Sequence, residues 1–317
     1  MKLILPATLN NQLAPHLPKD IEVIWASREA IDGDISNAEV YCNDPVFSQA
    51  VHHQVLQSAT ALRWYHASSA GVNHIVADLR SRNVRVTNSA GIFADPIAET
   101  VMGYILAQAK TFFQLRSQQA QRDWAWDTDA DTRMSELAGR VLLIVGAGGI
   151  GQAIARRAAA FGLRVWGVRR RPEPMAHFER VVSSEGWQAL LPEAHYLVLA
   201  APLTPETKGL LNAAAFGKMR PDAYLINVGR GALIDEQALL SALSQQRIVG
   251  AAIDTFVEEP LPQDSPFWDL DNLFITPHVS GLSPRNAERI AALFLDNLER
   301  YRQGEALRNL VDLTSGY

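Results

Sequence analysis

Residues 141–171 constrain the fold of this chain more than any other stretch. Val141–Val145 is an apolar run of strand length, followed by Gly146-Ala147-Gly148-Gly149-Ile150-Gly151. The alanine-rich segment 152–161 then reads as a helix that stops at Gly162, and a second apolar run, Leu163–Val168, follows it. Strand, glycine turn, helix and second strand at this spacing form the unit that receives a dinucleotide. In such a unit Gly146 makes the tight turn, Gly148 lets the backbone approach the pyrophosphate, and Gly151 lets helix pack on strand. Free N–H groups and the dipole at the helix N-terminus favour the phosphates. A glycine turn alone is a weak signal; the flanking elements give it meaning here.

Arg169, Arg170 and Arg171 stand directly after the second strand. An acid at that point would hydrogen-bond the ribose 2′-OH of NAD, whereas arginines pair with a 2′-phosphate. No Asp or Glu occurs between Gly162 and Arg171. The expected cofactor is therefore NADP, with NAD as the alternative, because a charge run also suits a solvated loop.

A chain of 317 residues suits two domains rather than one core. With 48% hydrophobic and 20% charged residues, its composition is that of a soluble globular protein. The net charge of −5 argues against a nucleic-acid partner. One cysteine, Cys42, excludes an intramolecular disulfide and fits a reducing, cytoplasmic compartment. It sits in a strand-like run and reads as a core residue. No signal-peptide layout opens the chain, and no apolar run approaches a membrane span.

The fold class expected is α/β, with two doubly wound parallel-sheet domains, Rossmann-like and flavodoxin-like, and a cleft between them. In the first part, strand candidates are Lys2–Leu5, Ile21–Trp25, Ala38–Cys42, Leu62–His66 and Arg85–Asn88, separated by helical or irregular segments. Asp95 and Pro96 then provide a cap and a first helical position. The apolar positions Ile97, Val101, Tyr104, Ile105, Phe112 and Leu115 follow near helical spacing, interrupted by Gln108. Asp123–Glu136 reads as a loop. From Val141 onward strands and helices alternate, with strands at His195–Ala200, Ala223–Val228, Val249–Asp254 and Asn272–Thr276 and a helix at Glu236–Gln246. Ser283 and Pro284 announce a last helix, ending at Gly304, after which the chain returns to the first domain. The expected division is residues 1–100 with 284–317 as a discontinuous substrate-binding domain, and 101–283 as the dinucleotide-binding domain.

Ligands of open α/β sheets bind beyond the carboxyl ends of the strands. Three strand ends carry chemistry: Arg230 between two glycines, Asp254 leading to Glu258 and Glu259, and His278 after Pro277. Each has a plain structural alternative: a surface arginine, two solvated acids, an aspartate capping its loop, a satisfied buried histidine. Their occurrence at successive strand ends downstream of a dinucleotide turn favours function. Arg230 suits a substrate carboxylate and the adjacent carbonyl, His278 suits proton donation to that carbonyl, and Glu259 suits orienting the ring. General acid catalysis of this kind contributes roughly 10²–10⁴-fold. No H-E-x-x-H or Cys/His cluster is present, so no metal is expected.

The chain resembles the D-isomer-specific 2-hydroxyacid dehydrogenases over essentially its whole length. The resemblance rests on Gly146–Gly151, Asn227–Asp235, Asp254–Leu261 and Thr276–Gly281. It implies that Arg230, Glu259 and His278 are catalytic and that Asp254 holds the nicotinamide carboxamide. It also implies that N–H groups of Ser69–Val72, chiefly Ala70 and Gly71, bind the substrate with Arg230 and His278. Glu99 and Thr100 would lie beside the nicotinamide, and Pro202, Thr207, Val228 and Gly281 complete the cofactor set. Within the family the likeness is greatest to NADPH-dependent glyoxylate/hydroxypyruvate reductases, carried by the arginines, Glu259–Trp268 and the terminal Ser315-Gly316-Tyr317. Asn73 departs from a common aspartate; Thr255 and Val257 are minor variants. A homodimer is implied, with Trp124 or Trp126 in a loop near the partner's site. The partner expected is a small 2-oxo or 2-hydroxy acid. Two other readings keep the fold: a dinucleotide-sensing corepressor, which would bind without turnover, and a formate or phosphite oxidiser, which the arginines disfavour.

Overall fold

The computed structural model describes residues 1–44, 49–72, 75, 78–124 and 134–313. Asn73, Trp126 and the terminal Ser315-Gly316-Tyr317 lie outside the described residues. In chain order the first elements are β1 (Lys2–Pro6), β2 (Glu22–Ala26), β3 (Val40–Asn43), α1 (Gln49–Ser58), β4 (Trp64–Ala67) and β5 (Arg85–Asn88). They are followed by α2 (Ala94–Ala109), α3 (Phe112–Ala120), β6 (Val141–Val145), α4 (Gly149–Ala160), β7 (Arg164–Val168), β8 (Arg180–Val182) and β9 (Tyr196–Leu199). The rest are α5 (Ala213–Lys218), β10 (Tyr224–Asn227), α6 (Glu236–Ser244), β11 (Gly250–Ile253), β12 (Leu273–Ile275) and α7 (Asn286–Gln303). The chain divides into two compact units, Met1–Phe93 with Ser283–Tyr317, and Ala94–Leu282.

The first unit is a five-stranded parallel sheet in the order β2-β1-β3-β4-β5. Strands β3 and β4 are buried along their whole length, as expected where helices cover both faces. One face packs Tyr41, Tyr65, Val55 and Leu79, and the other packs Leu3, Leu5 and Trp64 against α7. Trp64 stacks on Phe294 at 5.1 Å and on Tyr301 at 5.4 Å. Helix α7 is built for that face: Ile290, Phe294 and Leu298 recur every four residues and are buried. Its end is set by Gly304 at φ 75°, the left-handed stop that glycine adopts cheaply. Its start differs from the expectation. Ser283 uses its hydroxyl to accept from Arg285 N at 3.3 Å, so Ser283-Pro284 forms a turn and the helix begins at Asn286. The thiol of Cys42 is buried, and burial pushes its pKa up to about 12, which fits a core residue.

The second unit is a seven-stranded parallel sheet in the order β12-β11-β10-β9-β6-β7-β8. Counted from β6, the chain fills one side of the sheet with β7 and β8 and then crosses to β9–β12. Strands β6, β9, β10 and β11 are buried throughout. The short edge strand β8 has no strong sequence signal; it is three residues long and begins on an exposed arginine. The apolar stripe from Ile97 to Leu115 does not form one helix. The chain breaks at Thr111, whose φ of 55° is left-handed, and Phe112 and Leu115 are 55% and 42% exposed in α3. Asp95 and Pro96 fall inside the first turn of α2, where Asp95 pairs with Arg156 at 2.9 Å.

Candidate active site

The carboxyl edge of the second sheet carries the glycine turn. Gly146 N and Ala147 N both donate to Val168 O at 3.0 Å, folding the chain over the end of β7. Gly146 has φ +106°, and a Cβ there would lie 2.5 Å from the Ala200 carbonyl carbon. A Cβ on Gly151 would lie 2.4 Å from Gly146 O, so this position fixes how closely α4 packs on the turn. Gly148 caps α4, and a Cβ on it or on Gly149 would meet nothing within 4 Å. Two glycines thus close the turn, and two leave open space before a helix N-terminus, with Ile150 in the first helical turn. That cradle fits a pyrophosphate.

Around the turn, Arg169 lies against Glu173 at 2.6 Å and Met175 Sδ at 3.3 Å. The absence of acids up to Arg171 did not extend to this carboxylate two positions further on. Arg170 and Arg171 are exposed. The Glu206 carboxyl is held below its ordinary range by a hydrogen bond from Thr204 and, more weakly, by the charge of Arg170. Thr207 Oγ1 donates to Pro202 O at 2.7 Å and accepts from Thr204 N at 2.8 Å, so its hydroxyl closes the turn after β9. Val228 is buried and donates its N–H to Leu199 O.

Further along the same edge, Asn227 shapes the end of β10. Its Oδ1 accepts from Gly229 N at 3.1 Å, and its Nδ2 donates to Arg230 O at 3.1 Å and to Thr255 Oγ1 at 3.2 Å. A Cβ on Gly231 would lie 2.0 Å from the Phe256 carbonyl carbon, so the arginine turn rests directly on the backbone leading to Glu259. The Arg230 guanidinium is partly buried. Burial lowers its pKa, and the charge of Glu259 works in the opposite direction.

Glu259 holds two partners. Its Oε1 accepts from Phe256 N at 3.0 Å, and its Oε2 lies 2.8 Å from His278 Nδ1. With the carboxylate as acceptor, Nδ1 carries the proton and Nε2 is left for chemistry. His278 has φ 56°, a conformation uncommon for a non-glycine residue. Its N–H donates to Asp254 O at 2.9 Å, and its side chain is half exposed.

Asp254 is 1% exposed, and its carboxylate is engaged by the loop that carries His278. It accepts from Thr276 Oγ1 at 2.6 Å, Val279 N at 2.9 Å, and both the N–H and the hydroxyl of Ser280. These contacts tie the end of β11 to the loop that carries His278. Thr100 Oγ1 donates to Ser280 O at 3.1 Å, next to Gly281. Glu99 turns to Arg157, 3.1 Å away. The structure thus brings Arg230, Glu259, Asp254 and His278 to neighbouring strand ends of one sheet edge, and it adds side-chain contacts of Asn227, Tyr104 and Thr276, to which the sequence reading gave no separate role.

In the first unit, residues 69–71 follow β4. Ser69 Oγ donates to Gly71 O and Asn88 Nδ2 to Ala70 O, each at 2.8 Å. The N–H groups of Ala70 and Gly71 have no hydrogen-bond acceptor among the described residues. Among the described residues there is no cluster of three metal-ligating side chains and no helix long and apolar enough to cross a membrane.

A glycine turn before a helix N-terminus at the carboxyl edge of a parallel sheet is the arrangement of a dinucleotide-dependent enzyme. The chain belongs to the D-isomer specific 2-hydroxyacid dehydrogenase family, whose NAD binding domain matches residues 102–280. It is 31% identical over 315 residues to glyoxylate/hydroxypyruvate reductase B of Escherichia fergusonii, covering 98% of this chain and 97% of that one. A D-isomer specific 2-hydroxyacid dehydrogenase family protein from Aeromonas salmonicida superposes with a TM-score of 0.86 at 34% identity, covering 98% of both chains. An NADPH-dependent glyoxylate/hydroxypyruvate reductase from Sinorhizobium meliloti, solved with NADP and sulfate, superposes with a TM-score of 0.86 at 25% identity. It covers 100% of this chain and 99% of that one.

Proposed function

We propose that the protein uses NADPH to reduce small 2-oxo acids, of the glyoxylate and hydroxypyruvate kind, to D-2-hydroxy acids. The observation that carries this reading is the Glu259–His278 contact of 2.8 Å beside the Arg230 turn. Bound NADPH supplies the hydride. Arg230 pairs with the substrate carboxylate through two N–H groups and polarises the neighbouring carbonyl. The His278 imidazolium gives its Nε2 proton to the carbonyl oxygen and is left as the neutral ring whose Nδ1–H stays on Glu259, which also fixes its orientation. In the first unit, Ala70 and Gly71 are the N–H donors assigned to the substrate.

The 2′-phosphate falls to Arg169, with Arg170 and Arg171 beside it. The Arg169–Glu173 pair is exposed and therefore weak, so a phosphate that accepts two charge-assisted bonds displaces the carboxylate. His278 follows β12 and turns back so that its N–H meets Asp254 O at the end of β11, four strand intervals from β7, roughly 19 Å at ~4.8 Å each, a span for an extended dinucleotide to reach from the arginines to His278. The Sinorhizobium meliloti reductase, named NADPH-dependent and solved with NADP, supports the same choice of cofactor.

The test is initial rates with NADPH and NADH over a ladder of 2-oxo acids of rising bulk. NADPH with glyoxylate or hydroxypyruvate should give the highest kcat/KM, and a preference for NADH would remove the phosphate assignment. Tight NADPH binding without turnover on any of these acids would overturn the enzymatic reading. The same proposal includes a homodimer. The second unit has a groove of about 760 Å³ lined by Phe113, Tyr196, Tyr224 and Phe274 among others, with Phe112 and Val249 exposed on this unit. Sedimentation at the mass of a single 34.9 kDa chain would exclude it.

A further inference from the structure

Helix α2 reaches the histidine loop at two points. Thr100 Oγ1 donates to Ser280 O at 3.1 Å. One turn later on the same face, the Tyr104 hydroxyl meets Thr276 Oγ1 at 2.7 Å. Thr276 has one hydroxyl proton, and the Asp254 carboxylate 2.6 Å away can only accept it. The Tyr104 hydroxyl is therefore the donor to Thr276, and the chain runs Tyr104 to Thr276 to Asp254. Asp254 in turn receives Val279 N and Ser280 N. Thr276 and Ser280 lie two residues before and two residues after His278, so the helix grips the loop symmetrically about the proton donor.

We propose that Tyr104 and Thr276 are positioning residues for His278: a partly buried chain of hydroxyls ending on Asp254 locks the loop that aims the imidazole. The proposal rests on the reading of His278 as proton donor. Three observations on the loop support it. His278 itself sits at φ 56°, a conformation that persists only where neighbours over-determine it. Asp254, Ser280 and Tyr104 are 1%, 4% and 5% exposed and Thr276 is half-buried, so water is a poor replacement for a lost donor there. Burial pushes the Tyr104 phenol up to about 12, which keeps it a neutral donor through the working range. The tyrosine ring is separately anchored against Phe274 at 5.8 Å, so removing the hydroxyl leaves its packing in place.

Tyr104→Phe and Thr276→Val break the chain at different links, and Thr276→Ser keeps it. With NADPH and glyoxylate, Tyr104→Phe and Thr276→Val should lower kcat about 5- to 10-fold, the scale of one lost buried hydrogen bond. NADPH affinity and substrate KM should stay within about 2-fold, because neither side chain is assigned to a ligand. Thr276→Ser should return kcat to within about 2-fold of wild type. Independently of turnover, the downfield proton resonance of His278 Nδ1–H should shift or broaden in the first two variants and not in the third. Unchanged kcat and an unchanged resonance overturn the proposal, as does a kcat loss matched by an equal loss of NADPH affinity. Should Tyr104→Phe not fold, the valine and serine variants at Thr276 decide. A wild-type protein that turned over no 2-oxo acid would sink the proposed function, and the resonance would still report on the loop.

Discussion

At the scale of single residues, the site separates binding from proton transfer. Arg230 is partly buried, its backbone is fixed by Asn227, and its turn rests on the segment that leads to Glu259. A guanidinium held this way is poor packing material and a good receptor for a carboxylate. Replacing Arg230 with alanine should raise the KM for the 2-oxo acid roughly 10- to 100-fold, the scale of a charge-assisted pair, and leave NADPH binding intact. A change in thermal stability with unchanged kinetics would make Arg230 structural. Arg230, Glu259 and His278 were legible in the sequence because each follows an apolar strand run, where chemistry collects in open sheets. Tyr104 was hidden because it falls in an apolar stripe, where its ring counts as core and its hydroxyl goes unnoticed. Glu173 was missed because it belongs to the loop past the arginines, and only the chain's bend brings it back to Arg169.

At the scale of elements, the glycine turn makes a sharp distinction between neighbours. Gly151 packs against the Gly146 carbonyl oxygen with no room for a methyl group, whereas Gly148 faces open space. Gly151→Ala should therefore destabilise the protein as well as weaken cofactor binding. Gly148→Ala should change stability by no more than ~1 kcal/mol and still weaken NADPH binding. Thermal melts and NADPH titrations check both, and equal behaviour of the two variants would show that the open space is not a phosphate site. The buried strands were legible because parallel strands covered on both faces are near-continuous apolar runs. Edge strand β8 was not, being short and only half-buried. The break at Thr111 was foreshadowed by Gln108, but helical spacing alone does not reveal a single left-handed residue.

At the scale of the whole molecule, two parallel sheets of different order share one chain, and the second carries both the glycine cradle and the Arg230–Glu259–His278 edge. The matches cover 98% of this chain and 97–98% of the relatives, so one family architecture accounts for nearly all of the sequence. Crossovers between parallel strands are nearly always right-handed, so alternating strands and helices leave few sheet orders open. The measurement that bears most directly on the account is NADPH oxidation by wild type and His278→Ala with glyoxylate, both at saturating cofactor. Wild type should turn over, and the variant should bind NADPH within about 2-fold of wild type while losing roughly 10²–10⁴ in kcat. A variant that still reduces glyoxylate within a few-fold of wild type would contradict the assignment of His278 and, with it, the reaction proposed for this edge.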